Sequence, residues 1–220
     1  MSLPDLFIVE SLKCSDVKIG NLLANNLRSS GKNPIFMTVD GENSFKHAMK
    51  IFKTSNYRYL HIICHGNPSF ISFYDDQSLS AEASETISYD SFINCFPPNL
   101  NGIRIFLAAC ELGNKNFSNA IMRSRHDIYS VIAPMNEILA TQALYVWTTF
   151  YNQLFSSENA NMKSSLMLKL LWKAVKVFNN DFHASIIHPS TRERFIAHHN
   201  LLPHSTDSYK IPYDSTPIEL

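Results

Sequence analysis

The strongest constraint on this chain is a series of short apolar runs separated by helical patterns. Leu6–Val9, Pro34–Val39 (PIFMTV), Tyr59–Cys64 (YLHIIC), Ile103–Ala109 (IRIFLAA) and Ser130–Ala133 (SVIA) each have the length of a strand. Between the first three lie two amphipathic stretches. Val17–Leu27 stops before Gly31, and Phe45–Phe52 has Asn43 or Ser44 as its expected cap. Near-continuous apolar strands must be covered on both faces, and alternation with helices achieves that with a parallel sheet. The expected fold is therefore α/β, a three-layer α/β/α sandwich with a mostly parallel central sheet.

The remaining segments fit around that frame. Phe70–Tyr74 alternates like a short strand or hairpin arm, and the polar, acidic Asp75–Thr86 reads as a surface loop. Two long helices are expected at Asn136–Leu154 and Ser164–Val177, the second with a stripe of Leu166, Leu170, Ala174 and Phe178. Beyond Asn180 the pattern weakens. Ser190-Thr-Arg-Glu193 has the form of a capping box that starts one short helix, and Pro203, Pro212 and Pro217 break up the rest. The expected division is a domain over 1–180 and a C-terminal extension over 181–220, packed on or regulating that domain.

Composition excludes several function classes. Lys+Arg and Asp+Glu number 19 each in 220 residues, so no basic excess exists to displace counterions from nucleic acid. Ile138–Phe155 is uncharged over 18 positions. Thr141, Gln142, Thr148, Thr149, Asn152 and Gln153 interrupt it, and its apolar residues recur in pairs at near-helical spacing. It reads as a deeply buried helix, not a membrane span. Met1–Asp5 lacks the basic start of an export signal. Cys14, Cys64, Cys95 and Cys110 are too scattered for a disulfide framework. A cytoplasmic setting with free thiols is expected, without nucleic-acid or membrane partners, metal or cofactor.

Open parallel sheets carry their chemistry at the C-terminal strand ends. Here one strand ends at His65-Gly66 and another at Ala109-Cys110. If these strands are neighbours, an imidazole and a thiol meet at one edge. Such a pair suits nucleophilic acyl transfer: the thiolate attacks a carbonyl, and the imidazole protonates the leaving amine. The N–H groups of Gly66 and Cys110 would then form an oxyanion hole. The plainer alternative is a packed cysteine and a histidine in a turn, both common at strand ends. A zinc site on His61, Cys64 and His65 is disfavoured, because alternation sends Cys64 to the opposite face from both histidines. His61 reads as a core or supporting residue, Cys64 as packed, and Cys14, Cys95, His198, His199 and His204 as surface or structural.

The segments YLHIICHGNP (Tyr59–Pro68) and IRIFLAACELGN (Ile103–Asn114) resemble the His-Gly and Ala-Cys motifs of caspase-like cysteine peptidases. The likeness is greatest to the CHAT branch, which pairs H-x-x-x-H-G with A-C-x-x-G. The order of the motifs and the 45 residues from His65 to Cys110 also suit that family. So does the helix carrying FYNQL (Phe150–Leu154) after SVIAPMNEI (Ser130–Ile138). The likeness spans about Leu6–Phe178. Glu111-Leu112 and Asn136-Glu137 depart from the usual pattern, which puts substrate preference in question.

The resemblance implies a cysteine endopeptidase with Cys110 as nucleophile, His65 as partner, and Gly66 and Cys110 as oxyanion donors. No third acidic residue is required in the family, and none stands out here. In several caspase-like branches an acidic pocket selects Lys or Arg before the scissile bond. Glu137, Asp127 and Glu111 are the candidates for that charge, with Glu137 first among the three; its alternative as a helix N-terminal acid interacting with the dipole has at least equal weight. The implied partners are a protein or peptide substrate and an activating protein or signalling ligand, with the Asp75–Thr86 loop and the C-terminal extension as candidate regulated elements. Such relatives also suggest a role in bacterial, including antiviral, defence. The competing reading is a catalytically silent caspase-like module that binds a partner protein or small signalling molecule.

Overall fold

The computed structural model describes residues 6–55, 57–75, 82, 85–100, 102–124, 127–156, 164–178, 181–187 and 194–199. The chain runs β1 (Leu6–Ser11), α1 (Ile19–Ser29), β2 (Ile35–Thr38), α2 (Glu42–Thr54), β3 (Tyr59–Gly66), β4 (Phe70–Phe73), β5 (Glu85–Ser88), α3 (Tyr89–Asn94), β6 (Ile103–Ala108), α4 (Lys115–Ser124), β7 (Ile128–Pro134), α5 (Ala140–Ser156), α6 (Ser164–Val175), β8 (Phe182–Ile187) and β9 (Arg194–His199). The strand order is β2-β1-β3-β6-β7-β8-β9. Pairings from β2 through β7 are parallel, and β8 and β9 are added antiparallel. The antiparallel hairpin β4–β5 grows from the end of β3 at His65 and Gly66.

The strands read as apolar on both faces because two helical layers cover them. Phe7, Val9, Leu60, Ile62, Cys64, Ile105 and Leu107 pack under α2, α3 and α4. The intervening residues, among them Ile8, Tyr59, Ile63, Phe106 and Ala108, pack under α1, α5 and α6. On the first face Phe45 of α2 stacks on Phe92 of α3 with ring centroids 4.9 Å apart. Each such fully buried Phe contributes about 1.5–3 kcal/mol of transfer free energy. On the second face a polar pair is buried in the core: His61 Nδ1 and Tyr151 Oη are 2.8 Å apart, joining β3 to α5. Burial alone pushes the His61 imidazole down to about 3, so it is neutral. Its ring meets Trp147 edge-on at 4.7 Å.

Several boundaries differ from the sequence reading. Helix α2 begins at Glu42, ahead of Asn43 and Ser44. Ser44 caps it from inside, its hydroxyl accepting from the Asp40 and Gly41 amides at 3.0 and 3.1 Å. Helix α5 begins at Ala140, because Gln142 Oε1 accepts from Leu139 N at 3.3 Å and closes the first turn there. Glu85 and Thr86 belong to β5 and not to the expected loop. The Glu85 carboxylate reaches the α2 N-terminus, accepting from Glu42 N at 2.6 Å. Of the rest of that loop, residues 76–81, 83 and 84 lie outside the described residues.

The sheet does not stop at position 180. β8 pairs with β7 from Ser130↔Ile186 to Pro134↔Phe182, and β9 pairs with β8. The capping box at 190–193 and His204 lie outside the described residues, and the residues after the box form strand β9 where a helix was expected. No helix among the described residues is long and apolar enough to cross a membrane.

Candidate active site

The β3–β6 ladder brings the two motif ends together. Its pairs run from Tyr59↔Arg104 to Ile63↔Ala108, a constant offset of 45 residues. His65 and Cys110 have the same 45-residue separation, so they fall on one register step, two residues past the last pair. Adjacent strands lie about 4.8 Å apart. Alternation also sends both side chains toward the α1/α5 layer, in line with Tyr59, Ile63, Phe106 and Ala108. Both residues are only partly buried, unlike the strand positions that precede them.

Small residues permit the close approach of the two loops. A Cβ on Gly66 would lie 2.9 Å from Leu112 Cγ and 3.2 Å from the Cys110 carbonyl oxygen. A Cβ on Gly113 would lie 2.6 Å from Pro134 O and 2.7 Å from Ala133 O, and Gly113 N donates to Pro134 O at 2.7 Å. The glycines of the His-Gly and Ala-Cys-x-x-Gly segments are thus contact points: the first against the cysteine loop, the second against the end of β7. Between them Glu111 adopts φ +59, a left-handed conformation that costs a non-glycine residue about 1–2 kcal/mol. Its backbone is held at both ends. Glu111 N donates to Asn136 O at 3.4 Å, and Glu111 O accepts from Asn114 Nδ2 at 2.8 Å.

His65 has a partner that the sequence reading did not find. Asp16, in the loop between β1 and α1, accepts from His65 Nε2 through Oδ2 at 2.8 Å. Lys13 N donates to the same oxygen at 2.9 Å, and Lys18 Nζ donates to the Leu12 and Lys13 carbonyls. The loop that carries Asp16 is therefore laced in place. Tyr74 packs edge-on against the imidazole at 4.9 Å and is fixed in turn by Tyr74 N donating to Ser11 Oγ at 2.8 Å. The side chains of His65 and Asp16 are 39% and 28% exposed, so their ion pair adds about 1 kcal/mol of stability at most. Its effect is on geometry. With Nε2–H engaged by the carboxylate, Nδ1 is left as the basic nitrogen.

Cys110 Sγ lies 4.0 Å from Ile138 O in the segment leading into α5. Glu111 follows the thiol directly, and exposed Glu137 adjoins Ile138. Neither acid is in an ion pair among the described residues. Asp127 is misplaced by the sequence reading. It precedes β7, its Oδ2 accepts from Leu100 N at 2.6 Å, and its carbonyl accepts from Gly102 N and Ile103 N. Those residues open β6 and β7, so Asp127 stands at the N-terminal edge of the parallel sheet, the edge opposite Cys110.

The other candidates divide by burial. Cys64 is buried on the α2/α4 face, and burial with the nearby Cys110 pushes its thiol up to about 12. Cys95 is also buried and raised to about 11, whereas Cys14 is exposed. His61 and His65 share a face, but His61 is wholly covered by α5. No protein-family model and no curated protein matches this chain.

Proposed function

We propose that the chain is a cysteine endopeptidase of caspase-like type, acting through Cys110 and His65. One observation carries this reading: a thiol and an imidazole on the same register step of adjacent parallel strands, at the C-terminal edge, with Gly66 against the Cys110 carbonyl. The three-layer architecture agrees with what the CHAT resemblance implies. The chemistry follows from the parts. The Cys110 thiol gives its proton to His65 Nδ1, and the thiolate attacks the carbonyl carbon of a peptide bond. Charge developing on the carbonyl oxygen is met by the Gly66 and Cys110 amides. His65 returns the proton to the leaving amine, and water then hydrolyses the thioester. Asp16 holds the imidazole in the required tautomer and stabilises the imidazolium.

Glu111 follows Cys110 in sequence, and Glu137 adjoins Ile138, whose carbonyl lies 4.0 Å from the thiol. Neither acid has a cationic partner among the described residues, which favours Lys or Arg before the scissile bond. The test is hydrolysis of peptides that differ only there, with Lys, Arg, Asp or Leu. The Lys or Arg peptide is cleaved fastest, and Cys110→Ala and His65→Ala abolish or nearly abolish cleavage. A chain that cleaves none of them, and whose Cys110 reacts with iodoacetamide no faster than exposed Cys14, is a binding module instead.

A further inference from the structure

The β3–β6 ladder ends at Ile63↔Ala108, two residues short of the dyad. Beyond that point the strands' own hydrogen bonds no longer set the distance between imidazole and thiol. A side-chain network spans the gap. Tyr89, the first residue of α3, donates its hydroxyl to Asn67 O at 2.8 Å. Asn67 is two residues past His65, in a tight turn where its Oδ1 accepts from Ser69 N and Phe70 N at 2.8 and 3.0 Å. The same hydroxyl accepts from Asn114 Nδ2 at 3.0 Å. Asn114 Nδ2 also donates to Glu111 O at 2.8 Å, while Asn114 Oδ1 accepts from Phe117 N at 2.8 Å and caps α4.

We propose that Tyr89 is a positioning residue for the dyad, its hydroxyl tying the loop after His65 to the loop after Cys110. The inference rests on the peptidase reading and names a residue that neither motif contains. Three features support it. One oxygen makes both bonds, so the two loops cannot separate without breaking one of them. The cysteine side of the tie ends on Glu111, whose left-handed backbone needs external restraint to persist. The Tyr89 ring, edge-on to Phe117 at 5.0 Å, is fixed by packing, so the hydroxyl is delivered at little entropic cost. Burial raises the Tyr89 phenol above its ordinary value, which keeps it protonated and able to donate.

The test is the rate of iodoacetamide alkylation of Cys110, read by peptide mass spectrometry, with Cys14 as an internal exposed thiol. Tyr89→Phe keeps the ring and removes the hydroxyl. Asn114→Asp keeps the α4 cap and removes the donor. Each variant slows Cys110 alkylation roughly 10-fold and moves its pH midpoint upward, since misplacement of a reacting group by less than 1 Å has effects of this order. The double variant is no slower than either single one, the signature of a shared network. Additive losses that track melting temperature, or unchanged alkylation in both singles, overturn the positioning role while leaving the dyad intact. Wild-type Cys110 reacting no faster than Cys14 overturns the nucleophile itself, and the tie with it.

Discussion

Strand β3 and its partner β6 carry the same chemistry in two settings. His61 and Cys64 lie within the strand; His65 and Cys110 lie at the C-terminal ends. Two helical layers bury the first pair completely, and the result is a neutral imidazole and a thiol raised to about 12. The second pair lies past the last β3–β6 ladder pair, part-exposed, with Asp16 on the imidazole and Gly66 packed against the cysteine loop. Residue type is common to both, so under the peptidase proposal reactivity is a property of the edge. Inside the sheet the low dielectric disfavours every charged form; the proposed chemistry relies on the oriented partners that only the edge supplies.

The sharpest break in that comparison is thiol selectivity. Native Cys110 reacts with iodoacetamide on the order of 10³-fold faster than Cys64, because Cys64 is both covered and held as a thiol. Denaturant brings the two rates to within a few fold. Comparable native rates would mean that the edge confers nothing.

The histidines give the next effect. His61 has a folded value of about 3 against about 6.5 unfolded, so it adds no pH dependence above 6.5. Below that, the unfolded chain takes a proton that the folded chain refuses. Stability then falls by about 1.4 kcal/mol per pH unit, roughly 2 kcal/mol by pH 5. Urea titrations between pH 7 and 4 measure this slope. His61→Gln flattens it, and an unchanged slope in that variant would place the acid sensitivity elsewhere.

The smallest effect separates geometry from stability at the edge. Asp16→Asn lowers Cys110 alkylation and peptide hydrolysis about 10-fold, through a poorly oriented imidazole. It changes stability by about 1 kcal/mol or less, as expected for a partly exposed ion pair. A loss of activity matched by a proportional loss of melting temperature would make Asp16 a structural residue only.

Much of this was legible in the sequence for a physical reason. Strands buried on both faces must be continuously apolar, so β1, β3 and β6 announce themselves, and the strand-end rule then points to His65 and Cys110. The packing role of Gly66 and Gly113 was not legible, because the groups they touch, Leu112 and Pro134, are 46 and 21 residues away. Nor was Asp16: it is 49 residues from His65, and nothing local says that β1 lies beside β3. Asp127 was legible but misjudged: it precedes the strand it adjoins, and in a parallel sheet that places it at the N-terminal edge, opposite Cys110. β8 was obscured by buried His183 and Ser185, whose side chains lie 2.8 Å apart and so survive inside the core. A polar pair two residues apart, satisfied only once the strand has formed, interrupts the apolar run that marks a buried strand.

The sequence by itself determined the α/β class and the two central strands with His65 and Cys110 at their ends, since apolar periodicity is a local property. The tertiary structure decided that the two strands are neighbours with a 45-residue register, that Asp16 holds His65, and that Tyr89 joins the two loops. Those facts depend on strand order and loop closure. Both are set by how the whole chain buries its two apolar layers, not by any segment alone.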